Sequence, residues 1–83
     1  MTNEEVIALL QSTLSLQEIK VKSEGSHYQI IAIDDSFGQM SRVKRQQLVY
    51  SPLSEKISDG TIHAVSIKTF TPEQWQREKL FNQ

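Results

Sequence analysis

The chain has 83 residues, of which 37% are hydrophobic and 23% are charged, and its formal net charge is −1. This length predicts one domain with one core and no deep, enclosed active site. The low net charge argues against a surface built as a whole to attract nucleic acid or anionic lipid. No apolar run approaches the roughly 20 residues of a membrane span, and the N-terminus has no signal-peptide pattern. We therefore expect a cytoplasmic protein with no membrane partner.

Cysteine is absent, and the chain has only two histidines, His27 and His63. The chain can therefore form no disulfide and can supply neither a thiolate nucleophile nor a thiolate metal ligand. Two imidazoles alone cannot complete a closed zinc site of the usual sulfur and nitrogen ligands.

The first half of the chain predicts a helix and a β-hairpin. The helix covers residues 2–13 and begins with a capping box. Residues 17–23 alternate and carry lysines, which is typical of an edge strand. A turn over residues 23–26 leads to residues 27–34, which are apolar on both faces and predict a central strand. The residues expected to face the core are Val6, Leu9, Leu10, Thr13, Ile19 and Val21.

The second half predicts a loop, a helical region and a third strand. The loop covers residues 34–40, and the helical region covers residues 41–58. Pro52 should kink that region or split it, with Ser51 as a second N-cap. Residues 61–70 are rich in β-branched and aromatic side chains and predict a strand.

A strand-to-helix corner follows, where several local signals agree. An N-cap, a proline in the first helical position, a capping box and a hydrophobic staple all mark the same boundary. They are carried by Thr71, Pro72, Gln74 and the pair Phe70 and Trp75. The last helix should cover residues 72–80 and offer Trp75 and Phe81 to the core.

The predicted order is helix, strand, strand, helix, strand, helix. The helical region between the second and third strands is long enough to carry a crossover to a parallel neighbour. The fold class is therefore α+β, with a three-stranded mixed sheet packed with helices in the order α-β-β-α-β-α.

Catalytic groupings are poorly supported by the residues. Asp34 and Asp35 are adjacent, so they cannot face each other across a substrate, and a solvated turn is the simpler interpretation. Ser26 and His27 are neighbours on a strand and point to opposite faces. No phosphate-binding glycine loop occurs. We do not expect an enzyme.

A small basic cluster, Arg42, Lys44 and Arg45, opens the second predicted helix. Cations at a helix N-terminus oppose the helix dipole. They either meet an anionic partner, such as nucleic acid, or form a solvated face. The residues themselves favour the second interpretation.

His63 should share the buried face of the third strand with Val65 and Ile67, at the end where the strand begins. A lone histidine there is either structural or one ligand of several. As an iron–sulfur ligand it would need thiolates from another molecule, which places any such site at an interface. His27 also starts a strand, and the same two alternatives apply to it.

A family resemblance is carried by three segments of the chain. They read Ile62-His63-Ala64-Val65 continued by Lys68-Thr69-Phe70-Thr71-Pro72-Glu73-Gln74-Trp75, Gly25-Ser26-His27-Tyr28, and Leu48-Val49-Tyr50-Ser51 with Leu53. Taken in their order along the chain, these segments resemble the BolA family across nearly the whole chain, and the short first loop and the chain length are similar to a bacterial branch of it.

The resemblance implies a fold of the class II KH-like type and a non-catalytic adaptor. It implies a monothiol glutaredoxin as partner and a [2Fe-2S] cluster shared with that glutaredoxin and glutathione, in iron–sulfur handling, iron or redox sensing, or stress response. It places a cluster ligand at His63. The family's second ligand comes from the first hairpin loop, which here has no Cys or His, so His27 at its edge is the weaker candidate.

Two other functions are compatible with the sequence. Some BolA proteins are DNA-binding regulators, and here Arg42, Lys44 and Arg45 would carry that role. However, residues 35–38 do not supply the Gly-x-x-Gly clamp of RNA-binding KH domains, and residues 45–47 lack the Arg-His-Arg of many relatives. The third hypothesis is a bare protein-interaction module, in which His63 is structural and any contact with a glutaredoxin needs no metal. A homodimer is a further possible assembly.

Overall fold

The computed structural model describes residues 1–80. Its elements are α1 (Asn3–Thr13), β1 (Glu18–Glu24), β2 (His27–Ile33), α2 (Arg42–Tyr50), α3 (Ser54–Ser58), β3 (Ala64–Phe70) and α4 (Pro72–Glu78), with 3₁₀ turns at Asp35–Gln39 and Ser51–Leu53. Among these helices, none has the length and apolar character needed to cross a membrane. The predicted role of Phe81 lies outside the described residues.

The three strands form one mixed sheet in the order β1–β2–β3. β1 pairs antiparallel to β2, from Glu18 opposite Ile33 to Glu24 opposite His27. β2 pairs parallel to β3, from His27 opposite Ala64 to Ile33 opposite Phe70. The predicted α+β fold, the central position of β2 and the edge position of β1 are all confirmed.

The hairpin turn is shorter than predicted. Glu24 pairs with His27, so only Gly25 and Ser26 lie between the strands. Gly25 has a φ of 62°, whereas Ser26 keeps a negative φ. A glycine with positive φ at the first position of a two-residue loop matches the right-handed twist of the paired strands. The tight turn fixes where the Ser26 hydroxyl lies.

The two faces of the sheet are covered unequally. α1 and the segment from α2 to α3 cover the inner face, where Val6, Leu10 and Ile30 are buried. Leu9 is half-buried and Thr13 is exposed, so the buried stripe of α1 ends one turn earlier than predicted. On the outer face α4 covers only one end of the sheet, with a cluster formed by Ile31, Ile33, Phe70 and Trp75.

The predicted corner between β3 and α4 is confirmed in each of its signals. The Thr71 side chain accepts a hydrogen bond from the Gln74 backbone N–H, and the Gln74 side chain accepts one from the Thr71 N–H. The rings of Phe70 and Trp75 lie 5.5 Å apart between centroids. The reciprocal bonds satisfy two backbone donors at the helix start, which explains why the boundary is sharp.

The predicted helical region over residues 41–58 is interrupted at Pro52, as expected. It divides into α2, a 3₁₀ turn and α3. The expectation for Ser51 is wrong, because Ser51 has helical backbone angles and the N-cap position of α3 is Leu53. Proline lacks an N–H and cannot continue the α-helical ladder, so the chain tightens into a 3₁₀ turn there.

The predicted loop over residues 34–40 contains a 3₁₀ turn instead. Its N-cap is Asp34, and Phe37 within it is fully buried in the core. The interpretation of Asp34 as part of a solvated turn is also wrong, since this residue is buried and only 9% exposed. Its oxygens accept hydrogen bonds from the Gln17 and Ser36 backbone N–H groups and from the Ser36 hydroxyl.

β3 begins later than predicted, at Ala64 rather than Thr61. Before it, the Ile62 N–H donates to the Lys56 carbonyl at 3.1 Å, so residues 61–63 lie outside the sheet ladder. Strand alternation therefore does not extend to them. Ile62, predicted to point outward, is 1% exposed, whereas His63, predicted to share the buried face with Val65 and Ile67, is exposed.

Candidate functional site

The parallel pairing of β2 with β3 brings the two histidines to one end of the sheet. His27 is the first residue of β2 and lies opposite Ala64, the first residue of β3. His63 immediately precedes Ala64, and the Gly25–Ser26 turn lies at the same end of the sheet. We call this region the histidine end and define it by Ser26, His27, His63 and Ser66.

The backbone that carries His63 is fixed although its side chain is exposed. The neighbouring Ile62 is buried and its N–H is bonded to α3. The Asp59 Oδ1 atom accepts a hydrogen bond from the Thr61 N–H at 2.8 Å. Hydrogen bonds from the Thr61 side chain and backbone lower the pKa of the Asp59 carboxyl below its ordinary value, since they stabilise its charged form. His63 is thus an exposed imidazole on a well-anchored segment.

One ring nitrogen of His63 is engaged and the other is open. Its Nδ1 atom lies 3.2 Å from the Ser26 hydroxyl oxygen, and within residues 1–80 its Nε2 atom has no hydrogen-bond partner. Metal-binding histidines commonly use one ring nitrogen for the metal while a hydrogen bond to the other fixes the ring. The geometry of His63 therefore fits a metal ligand that binds through Nε2.

His27 is held in a similar way through its other nitrogen. Its Nε2 atom lies 3.0 Å from the Ser66 hydroxyl oxygen, on the uncovered outer face of the sheet. Its side chain is exposed, and Nδ1 remains for a ligand. The sequence indicated both histidines as candidate ligands. It did not indicate Ser26 and Ser66 as their hydrogen-bond partners, because only the strand register shows that these hydroxyls meet the imidazoles.

No complete metal site is formed within the described part of the chain. Residues 1–80 contain no group of three or more His, Cys, Asp or Glu side chains that could hold a metal ion. The whole sequence also lacks cysteine. A cluster bound at the histidine end would accordingly need most of its ligands from another molecule.

The contact between Ser26 and His63 does not form a nucleophilic site. In a hydrolytic triad the base is oriented by a carboxylate on its second nitrogen, and Nε2 of His63 has no such partner in residues 1–80. The oxygens of Asp34 are occupied by structural hydrogen bonds at the opposite end of β2.

The basic cluster predicted at the start of α2 is only partly brought together. Arg42 and Arg45 line a cleft between α2, β3 and α4, and Lys68 and Arg77 join them there. Lys44 is exposed and does not line this cleft. No pattern in the sequence indicated that Lys68 and Arg77 belong to this cluster, because they are 23 or more positions away from Arg45 along the chain.

Arg45 also has a structural role that the sequence did not suggest. Its Nε donates a hydrogen bond of 2.7 Å to the Phe37 carbonyl, and its Nη1 donates one of 3.3 Å to the Gln74 side chain. The guanidinium carbon lies 5.8 Å from the centre of the Phe37 ring, within reach of a cation–π contact. Arg45 thus ties α2 to the 3₁₀ turn and to α4.

Comparison with known proteins agrees with this fold. A family model described as BolA-like protein matches residues 5–74 of the chain. The chain belongs to the BolA-like family. It is 52% identical over 82 residues to the acid stress protein IbaG of Escherichia coli strain K12, covering 99% of this chain and 98% of that protein. The similarity to a bacterial branch of the family is thereby confirmed.

Solved structures of BolA proteins share the same architecture. A BolA homologue from Coxiella burnetii superposes with a TM-score of 0.76 at 25% identity, covering 92% of this chain and 97% of that one. The BolA domain of SufE1 from Arabidopsis thaliana gives a TM-score of 0.73 at 26% identity, covering 86% and 92%. Membership of this family is consistent with a non-catalytic role.

Proposed function

We propose that this protein is a non-catalytic adaptor that binds a monothiol glutaredoxin. Together the two proteins would hold a shared [2Fe-2S] cluster, to which His63 contributes one ligand and the glutaredoxin and glutathione contribute thiolates. The role would be in handling iron–sulfur clusters or in sensing iron or redox state. The Escherichia coli relative is an acid stress protein, and such a role fits a stress response.

The observation that carries this proposal is the state of the His63 ring. It is exposed, its Nδ1 atom is held by Ser26, and its Nε2 atom is open. Such a ring can meet a cluster that another molecule presents without any rearrangement of the core. Since the chain lacks cysteine, the imidazole would be added to a site whose thiolates belong to the partner.

A nitrogen ligand in place of a thiolate changes the properties of the cluster. Histidine ligation raises the reduction potential of [2Fe-2S] centres relative to all-cysteine ligation, and the hydrogen bond to the other ring nitrogen tunes the ligand. The adaptor would therefore alter how readily the cluster is reduced or released while performing no reaction itself. His27, whose Nε2 atom contacts Ser66, is the second candidate ligand.

The test is an anaerobic titration of this protein into a cluster-loaded monothiol glutaredoxin, followed by visible absorbance and circular dichroism. The wild type should change the cluster spectrum and saturate near one equivalent, and His63→Ala should abolish the change. His27→Ala tests the second candidate: a retained spectral change would show that His27 is not a ligand, and a lost change would show that it is one. Because both side chains are exposed, the two variants should fold like the wild type.

The proposal fails if the wild type leaves the spectrum unchanged and no complex forms in the presence of cluster. A complex that forms equally well with His63→Ala, with an unchanged spectrum for both proteins, would instead support an interaction module with a structural His63.

Nucleic-acid binding is the second candidate, and one observation favours it. Arg42 and Arg45 lie in the same cleft as Lys68 and Arg77, which gives four cations in one recess. A regulator of this kind should bind DNA with an affinity that falls steeply as salt increases, and neutralising cleft residues should reduce that slope. Absence of binding to duplex DNA at low salt would eliminate it.

A further inference from the structure

The cleft between α2, β3 and α4 concentrates positive charge in a protein whose net charge is −1. Four of the nine Lys and Arg residues of the chain line it, namely Arg42, Arg45, Lys68 and Arg77. Of the ten Asp and Glu residues only Glu78 lines it. The cleft therefore carries an excess of three positive charges.

Within residues 1–80 no acidic group pairs with the guanidinium groups of this cleft. Arg45 donates hydrogen bonds only to a carbonyl and an amide oxygen, and these acceptors are uncharged. Arg42 and Arg77 form no hydrogen bond or ion pair with any of the residues 1–80. Like charges held together in a recess raise the local potential, and a bound anion would relieve the repulsion.

The dimensions of the cleft suit a small organic molecule. Its volume is about 460 Å³, within the range of roughly 300–1,000 Å³ that is usual for ligand pockets. Ile67 and Phe70 contribute apolar surface to its walls beside the cations. This combination is suited to a ligand with a charged group at one end and a flat or apolar body at the other.

The surface beyond the cleft is unfavourable for a long polyanion. Outside the cleft the chain has five Lys and Arg residues against nine Asp and Glu residues. On β1, at the far edge of the sheet, strand alternation puts Glu18 and Glu24 on the same face as Lys20 and Lys22. Lys20 and Lys22 line a separate recess together with Lys68, but the two glutamates at the ends of β1 balance the charge of its two lysines.

We propose that this cleft binds an organic phosphate monoester of about nucleotide size. A phosphate monoester carries a charge of about −1.5 to −2 at neutral pH, and the planar fork of arginine matches its oxygens. Arg42 and Arg77 would hold the phosphate, and the positive charge of Arg45 would attract it further. The organic part of the ester would lie against Phe70. The site is separate from the histidine end and does not depend on the adaptor function.

The experiment is a titration of ¹⁵N-labelled protein followed by amide NMR shifts, with adenosine 5′-monophosphate as the probe. The expected result is saturable shifts in residues 67–70 and 74–77, with a dissociation constant at or below about 1 mM. Inorganic phosphate should compete with the probe, whereas adenosine, which lacks the phosphate, should bind at least about tenfold more weakly.

The test variant is the double substitution Arg42→Gln with Arg77→Gln, which spares the structural Arg45. It should raise the dissociation constant of adenosine 5′-monophosphate by about tenfold or more. Lys44→Gln is the matched control, because it removes a cation from the same helix outside the cleft, and it should change the constant less than about twofold. His63→Ala should also leave it unchanged.

Three outcomes would overturn this proposal. The first is an absence of saturable shifts up to about 10 mM probe, and the second is equal binding of adenosine and its monophosphate. The third is binding of a single-stranded oligonucleotide that the monophosphate does not displace, which would favour the nucleic-acid function instead. A dispersed amide spectrum of the double variant, like that of the wild type, establishes that its loss of binding does not come from unfolding.

Discussion

The two ends of the parallel β2–β3 pair are held in different ways. At the histidine end, His27 and His63 are exposed, and the structure gives each a single hydroxyl contact. At the opposite end, Phe37 and Trp75 are buried, and the Asp34 carboxylate accepts hydrogen bonds from two separate segments. We call this opposite end the corner end and define it by Asp34, Phe37, Phe70 and Trp75.

The difference shows how a small domain separates stability from binding. Burial of apolar side chains and satisfied polar groups provides most of the favourable free energy of folding, and the four residues of the corner end contribute to it whereas the two exposed imidazoles do not. An imidazole that binds a ligand from another molecule must keep one ring nitrogen accessible. Its burial therefore cannot contribute to the free energy of folding. Changes at the corner end should therefore affect folding, and changes at the histidine end should affect binding.

The largest effect is expected from Phe37→Ala at the corner end. This side chain is fully buried in the core, and its removal should lower the free energy of unfolding by about 3–5 kcal/mol. Urea denaturation followed by far-ultraviolet circular dichroism measures it. Val43→Ala is the control, since Val43 is 65% exposed and should change stability by less than about 0.5 kcal/mol. Equal effects of the two variants would contradict the burial of Phe37.

A smaller effect is expected from Asp34→Ala. The change leaves the Gln17 and Ser36 backbone N–H groups without the acceptors they have in the wild type. It should lower the free energy of unfolding by about 2 kcal/mol. The neighbouring Asp35 is exposed. The free energy of unfolding of Asp35→Ala should therefore lie within about 0.5 kcal/mol of that of the wild type in the same denaturation experiment. Similar losses from both variants would show that Asp34 is not a specific structural cap.

At the histidine end, Ser26→Ala tests whether a hydroxyl positions the His63 ring. Loss of the contact to Nδ1 should weaken co-ligation of the shared cluster by about tenfold, as found for outer-shell partners of metal ligands, with no measurable loss of stability. The spectroscopic titration with cluster-loaded glutaredoxin reports it. Ser23→Ala, on the same hairpin, should behave as the wild type. If Ser26→Ala also titrates like the wild type, Ser26 does not position the His63 ring.

The smallest effect is expected from Asp59→Asn, and it should depend on pH. Hydrogen bonds from Thr61 lower the pKa of Asp59 in the folded protein below its ordinary value of 3.8. The carboxylate therefore contributes stability above that value, and the contribution is lost as the pH falls through the lower folded pKa. The melting temperature of Asp59→Asn should lie slightly below that of wild type at pH 7, and the difference should vanish in strong acid.

Asp35→Asn removes the same negative charge from an exposed aspartate and serves as the control for Asp59→Asn. A difference between Asp59→Asn and the wild type that stays constant down to pH 2 would show that ionisation of Asp59 is not its source.

Local signals in the sequence determined most of the fold. The capping boxes at Thr2 and Thr71, the alternation in β1, the interruption at Pro52 and the staple of Phe70 with Trp75 all act between residues a few positions apart. Such interactions form whenever the segment adopts its structure, so they can be predicted without knowledge of the rest of the chain. The residues themselves left His63 as either a structural histidine or one ligand of several, and the family resemblance favoured the ligand.

The environment of the candidate sites was decided only by the tertiary structure. Ser26 meets His63 and Ser66 meets His27 across separations of 37 and 39 residues, and Lys68 and Arg77 join Arg42 in the cleft only when β3 and α4 pack beside α2. The same holds for the exposure of His63, which follows from the bond between Ile62 and Lys56 that delays the start of β3. These contacts depend on strand register and packing between distant segments, and no periodicity within a single segment encodes them.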